Sequence, residues 1–224
     1  MESLGGTGPR SRVRRNPSAA RYDEATIHAI FDEARFCHVG FVRDGGPVVI
    51  PTIHDRQGDT LYFHGSRSAS MLHAMTSPAG ACVTATLFDG MVLARSVFMH
   101  TMNYRSAVAF GHPEEVTDAG EKLAVLGHFT EHVLPGRTTE ARAPNERELG
   151  LTTVVRMRIE EASAKVDDGP PEDEPEDMDL PVWAGIVPAA LTWGEPIADS
   201  TGAVGALSLP LPPSVLRLLG RSLP

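Results

Sequence analysis

The spacing of apolar and polar positions changes period several times along the chain. Asp23 offers a side-chain oxygen for a helix start, and Ile27, Ile30, Phe31 and Ala34 follow at helical spacing. Phe36 to Val42 then reads as a strand, Asp44-Gly45-Gly46 as a hairpin turn, and Pro47 to Ile53 as the return strand. A second turn, Arg56-Gln57-Gly58-Asp59, leads into a third strand, Thr60 to His64. Three short strands joined by tight turns predict a β-meander that closes into a barrel or sandwich.

Serines crowd the start of a short helix expected over Ser66 to Met75. Ala81 to Leu87 alternates as a half-buried strand does, Asp89-Gly90 predicts a turn into Met91 to Arg95, and Ser106 to Gly111 reads as a further strand. Helices are expected over residues 118–132 and from Pro144 to Leu149. Thr152 to Ile159 alternates again, and Ser163 to Val166 is expected to extend that strand or pair with it.

The flanks look different. Residues 1–20 carry Arg10, Arg12, Arg14 and Arg15 without apolar periodicity, which predicts a flexible basic arm that either is solvated or reaches a phosphate or acidic partner. Asp167 to Asp179 holds eight acidic residues, three prolines and no lysine or arginine. It reads as a solvated loop, without the fixed carboxylate spacing of a calcium loop. The apolar run Leu180 to Pro188 follows and must pack on something, whereas residues 191–224 form a proline- and glycine-rich tail with no assigned role. The expected organisation is one domain over residues 21–190 with an arm and a tail.

Composition narrows the function classes. A formal net charge of -9 disfavours nucleic acid as a partner. Cys37 and Cys82 cannot form a disulfide framework or a four-thiolate zinc site, and read as buried small hydrophobes in a reducing compartment. No apolar run approaches the ~20 residues of a membrane span, and no secretory h-region follows the basic start, so a soluble cytoplasmic protein is expected.

The familiar catalytic signatures are missing: there is no G-x-S-x-G, H-E-x-x-H, Walker A or G-x-G-x-x-G motif. His128 and His132 stand four apart on a predicted helix but lack an evident third metal ligand, so a solvated helix face is the expectation and no metal is assigned. His64-Gly65-Ser66-Arg67-Ser68-Ala69-Ser70 fits a phosphate-holding helix start, with Arg105 as a bidentate partner, and equally fits an ordinary serine-capped helix. Pro51 cannot donate to a ladder and marks an edge. There Thr52 could meet a planar heterocycle, or the strand could simply end.

Seven segments occur together in a telling order. They are Pro47 to Thr52, Asp59 to Ser66, Asp89 to Ser96, Met102 to Ser106, His132 to Arg137, Ser163 to Lys165 and Val182 to Gly185. Over about residues 20–190 the chain resembles the pyridoxamine 5'-phosphate oxidase-like flavin-binding split-barrel family, in the branch related to nitroimidazole-resistance reductases. The resemblance implies a mainly β (α+β) fold, a six-stranded antiparallel split barrel with a few flanking helices, paired as a homodimer with FMN at the subunit seam. Ile50, Pro51 and Thr52 would lie along the flavin ring. His64, Gly65, Ser66, Arg67, Ser70, Arg105 and Ser106 would surround the ribityl phosphate, and Trp183 would close the pocket.

The implied activity is an FMN-dependent oxidoreductase that passes electrons from a reduced nicotinamide to a small electron-poor acceptor. His64 would then be the catalytic proton-transfer group, or else a hydrogen-bonding residue of the barrel wall. Arg95 and Lys165 would orient an anionic substrate or form ion pairs. Alternatives are a flavin-nucleotide storage or sensing protein, and the same fold binding haem or a deazaflavin. Ser70-Met71 stands where many relatives carry a basic residue, and the C-terminal substrate-binding Arg and His residues of true pyridoxamine phosphate oxidases find no match.

Overall fold

In the computed structural model, which describes residues 8–199, 201 and 209–220, the N-terminal arm leads into a short strand, β1 (Ala20–Arg21). The Asp23 carboxylate accepts from the Thr26 amide and starts α1 (Glu24–Glu33), whose Ile27, Ile30 and Phe31 turn into the core. β2 (Cys37–Arg43) and β3 (Gly46–Thr52) form the expected hairpin. Its turn residues Asp44 and Gly45 both have positive φ, 53° and 78°, the geometry that suits the right-handed twist of the strands.

The third strand corrects the meander reading. After β4 (Asp55–Gln57), β5 (Thr60–Ser66) does not continue the hairpin's sheet. It pairs with β4 and, further along the chain, with β9 (Thr152–Arg158), in a four-stranded sheet ordered β4-β5-β9-β8, β8 being Glu114–Glu115. Next, α2 spans Ser70–Met75 only, so Ser66 ends β5 and Ser68 lies in the turn before the helix.

β6 (Ala81–Leu93) is a single long strand. The predicted turn at Asp89-Gly90 is instead a register shift between Phe88 and Gly90 in its pairing with β7 (Thr101–Gly111). The bulge lets one strand serve three neighbours. β2 pairs its first half, β7 runs alongside, and β11 (Gly185–Pro188) pairs its far end at residues 90–93. A Cβ at Gly90 would lie 2.6 Å from the Val187 carbonyl oxygen, so the close approach of β11 needs glycine there. This pairing anchors the backbone of the apolar run after the acidic loop, but its side chains Leu180, Val182, Trp183, Ile186 and Val187 stay exposed, so the expected packing of the run is not met within this chain.

α3 (Ala119–Val133) begins at the Asp118 cap and α4 (Glu146–Leu151) at a capping box between Asn145 and Glu148. β10 (Glu161–Asp167) neither extends β9 nor pairs with it, contrary to expectation. It lies between β1 and β7 in the larger sheet, whose path is β1-β10-β7-β6-β2-β3 with β11 attached to β6. The whole is mainly antiparallel β with a few helices, as the resemblance implies. Both sheets face one core, where α1 and α2 plug the space between Val39, Val83, Ala107 and Ala109 on one side and Leu61, Phe63, Val155 and Met157 on the other. Alanines on β6, β7 and β10 leave room for the large side chains of α1.

Residues 1–7 of the arm and 200, 202–208 and 221–224 of the tail lie outside the described residues; the described parts of both, and the acidic loop, make contacts that their composition does not suggest. Arg10 bonds Glu161 at 3.0 and 2.8 Å, and Ser11 is buried. In the acidic loop, Asp173 takes the Arg95 guanidinium at 2.9 Å and the Arg95 amide at 2.6 Å. The tail forms α5 (Pro213–Leu218), whose Ser214 amide donates to Glu140 at 2.9 Å and whose Arg217 reaches the Pro135 carbonyl. Cys37 is buried, which pushes its thiol up to about 12, and neither cysteine is in a disulfide. No described helix is long and apolar enough to cross a membrane.

Candidate functional site

The pleat of β5 decides where His64 points. Leu61 and Phe63 face the main core, so Tyr62 and His64 face the other way, toward α3. There Val116, Val125, Phe129 and Val154 form a second, small cluster. The His64 ring meets Phe129 edge-on, centroids 4.5 Å apart.

Beside this contact lies a cavity of about 990 Å3, at the upper end of the roughly 300–1,000 Å3 of small-molecule sites. α3 is apolar on two sides. Val125 and Phe129 pack on the sheet, while Leu123, Leu126, Val133 and Leu134 wall the cavity with Ile53 opposite. His64 reaches this space, and its ring nitrogens have no hydrogen-bond partner among the described residues. Burial holds its pKa below the ordinary value, so the imidazole stays neutral and keeps a lone pair for a ligand.

The cavity's rim is charged. Arg142 grips Glu148 through two bonds of 2.8 and 2.6 Å, and Arg137 lies 3.4 Å from Glu140. The Arg142 pair and the Asn145 amide bring the Glu148 carboxyl down to about 2. Glu140 is also the residue that holds α5, so the tail buttresses the rim. An apolar chamber with a neutral imidazole inside and guanidinium groups at the edge suits a large flat ligand with anionic substituents.

The other residues singled out from the sequence separate into distinct places. Ile50, Pro51 and Thr52 end β3, which is the edge strand of its sheet, as Pro51 predicts. Ile50 packs on the core and Pro51 is exposed. Gly65 sits under Leu72, where a Cβ would come within 3.3 Å of Cδ1. Ser66 and Ser68 hydroxyls are 2.9 Å apart, Arg67 is exposed, and Ser70 opens α2 with no side-chain cap at Ala69. Arg43, unremarked in the sequence, donates to Ser70 at 3.3 Å, so a guanidinium stands beside the stretch that lacks its expected basic residue. Its position just before the Asp44-Gly45 turn is the signal that could have located it.

Arg105, expected at a phosphate, has its guanidinium bonded to Glu33 at 2.5 and 2.8 Å and to Asp89 at 2.9 and 2.8 Å, so two carboxylates already neutralise it. Ser106, one residue on, points to the opposite face of β7 and lines a second cavity with the N-terminal arm. Trp183 is 65% exposed and lays its ring over Gly185. Arg95 is held by Asp173, whereas the Lys165 ammonium stands 5.9 Å over the Tyr104 ring.

The histidine pair on α3 does not form a metal face. His128 is exposed, while His132 turns inward toward Asp55, 4.0 Å away, and the His54 ring. His54 itself is buried against the Phe31 carbonyl at 2.8 Å. Among the described residues, a compact acid–imidazole cluster occurs elsewhere, where His28 lies between Glu24 and Asp59 and ties α1 to the β4–β5 turn.

Residues 23–166 match the model of a family described as pyridoxamine 5'-phosphate oxidase. Among solved structures, the flavocytochrome Anf3 from Azotobacter vinelandii is 35% identical, with a TM-score of 0.86 over 94% of this chain and 96% of that one. An FAD and haem binding protein from Mycobacterium smegmatis is 36% identical, with a TM-score of 0.83 over 89% and 97%. A 5-nitroimidazole antibiotic resistance protein from Bacteroides thetaiotaomicron shares the fold at 24% identity, with a TM-score of 0.56 over 66% and 86%. No curated protein matches the chain.

Proposed function

The chain belongs to the pyridoxamine 5'-phosphate oxidase family, and from that membership we propose that it is an electron-transfer protein that carries a flavin nucleotide and a haem. The α3 cavity with His64 inside it carries this reading. Support comes from the two relatives at 35% and 36% identity, one a flavocytochrome and the other an FAD and haem binding protein, each aligned over nearly its whole length.

The residues present fit a haem. Leu123, Leu126, Val133 and Leu134 provide an apolar enclosure for the macrocycle. His64, kept neutral by burial, is the residue that would ligate the iron. Arg137 and Arg142, which line the cavity and are paired with Glu140 and Glu148, would hold the haem carboxylates by exchanging those partners. When bound, the haem would supply one-electron chemistry; the protein's part is to bind, orient and keep water away.

This assignment gives His64 a metal-ligand role in place of proton transfer to a flavin. The flavin keeps the place the family resemblance gave it, beside the β3 edge at Ile50, Pro51 and Thr52 and the Gly65–Ser70 stretch, with Arg43 and Arg67 as the available guanidinium groups. FMN and FAD remain alternatives, the second favoured by the name of the 36% relative. Two copies of the chain would close this site. Val97, Phe98 and Trp183 are 85%, 91% and 65% exposed, an apolar surface that a second copy would cover.

The test is optical. Protein purified from cells supplied with haem precursor should show a strong Soret band together with flavin absorbance. His64→Ala should lose the Soret band and keep the flavin. A protein that takes up no haem, even when hemin is added, or a variant with an unaltered Soret band, overturns the reading. The first result, with flavin bleached by a reduced nicotinamide, would favour the FMN-type oxidoreductase instead.

A further inference from the structure

The described part of the basic N-terminal arm, from residue 8 on, is fastened to the strands. Arg10 is anchored to Glu161 and stands 5.0 Å over the Phe110 ring, Ser11 is 2% exposed, and the Val13 amide donates to the Tyr22 hydroxyl at 2.9 Å. The arm thereby roofs the outer face of β7 and β10. Between arm and strands lies a cleft of about 310 Å3.

The lining of that cleft runs against the charge of the whole chain. The protein carries a formal net charge of -9, yet four cations and no carboxylate line this space. Arg10 is offset by Glu161, with Glu160 at 3.9 Å. Arg12, Arg15 and Lys165 have no carboxylate within ion-pair distance among the described residues. Ser106 and Ser163 add hydroxyl donors from the two strands. Three uncompensated positive groups around one concavity repel each other, and the arrangement is relieved by an anion of more than one charge. Guanidinium forks and hydroxyls are the donors that phosphoryl oxygens take best. The contrast with Arg105 on the inner face of the same strand, neutralised twice over, shows that the bare charges are local to the cleft.

We propose that this cleft binds the diphosphate of a dinucleotide. The inference goes beyond the haem reading and does not depend on it. Two dinucleotides carry that group: a reduced nicotinamide dinucleotide, which leaves the flavin phosphate beside Gly65–Ser70, and a flavin adenine dinucleotide, whose flavin-side phosphate would then lie here instead of there.

The experiment is calorimetric titration of the full-length protein, dialysed free of nucleotide, with sodium pyrophosphate at low salt. The wild type should bind at one saturable site that weakens as salt rises. Arg12→Glu combined with Arg15→Glu should weaken binding by more than about tenfold, and Arg15→Ala alone by less. Both positions are exposed, so the fold should survive, which circular dichroism checks. The same variants are then titrated with FAD, FMN and NADH. A loss of FAD affinity with a smaller loss for FMN, which shares one of the two phosphates, assigns the diphosphate to the flavin, and a loss of NADH affinity with both flavins unchanged assigns it to the electron donor. Absence of saturable pyrophosphate binding to the wild type, or equal binding by the double variant, overturns the proposal. So does a loss of pyrophosphate binding that leaves both dinucleotides unaffected. Loss of the Soret band in His64→Ala is independent of every one of these outcomes.

Discussion

The two faces of the β5–β9 sheet share strands but not physics. Toward the main core, Leu61, Phe63, Val155 and Met157 are fully buried against both sheets and two helices. Toward α3, Tyr62, His64 and Val154 meet a thinner layer that leaves a chamber of about 990 Å3 beside it. One face spends its apolar side chains on stability. The other packs Val125 and Phe129 of α3 on the sheet and leaves apolar surface beside them unfilled, as ligand sites do. The same strand residues, alternating in and out, therefore divide structure from function.

The sharpest way to break this contrast is to truncate an aromatic on each face. Phe63→Ala should cost about 3–5 kcal/mol in chemical denaturation, because its surroundings are packed on every side. Phe129→Ala, whose ring adjoins the chamber, should cost only about 2 kcal/mol, since less new cavity is created. Equal losses would mean that the chamber side is as tightly packed as the core.

Acid should act where α1 meets α3. Burial lowers the pKa of His54 from its ordinary 6.5, so below that pH the unfolded chain binds a proton that the folded chain refuses. The stability tied to this residue is complete above pH 6.5 and declines as pH falls toward the folded-state value. His64 shifts in the same direction and adds to the slope. Urea unfolding at pH 8 and pH 5 should show the lower stability in acid, and His54→Gln should flatten the difference; an unchanged slope would place the acid sensitivity elsewhere. The smallest effect is expected for Leu123→Ala on the chamber wall, within about 0.5 kcal/mol by the same denaturation assay, because Leu123 is 43% exposed.

Local chemistry was legible in the sequence and partnership was not. Asp23 as a cap, Asp44-Gly45 as a turn and Pro51 as an edge marker all follow from short-range sterics, and each is found in place. The alternation in Thr60–His64 correctly predicts a strand, but a period of two cannot say which sheet the strand joins. Asp89-Gly90 has the composition of a turn because a bulge asks for the same backbone freedom. Arg105 looked like an anion ligand because its two carboxylates, Glu33 and Asp89, lie 72 and 16 residues away. The chamber was missed for a related reason. Residues 118–132 read as a helix, but the apolar positions Leu123, Leu126 and Val133 beside Val125 and Phe129 do not show how much of that surface stays uncovered. In the described part of the arm, a polar composition gives no sign of the anchoring by Arg10 and Ser11, because their partners lie about 150 residues away.

Gly90 has a consequence for how this protein can drift. The gap left by its missing side chain moors everything from Gly185 to Pro188, and with it Trp183, to the barrel. A methyl group there would have to push the Val187 carbonyl away, unfastening the flap that follows the acidic loop. Descendants of this chain can therefore change residue 90 only together with residues 185–188, so the two stretches should be inherited as a unit.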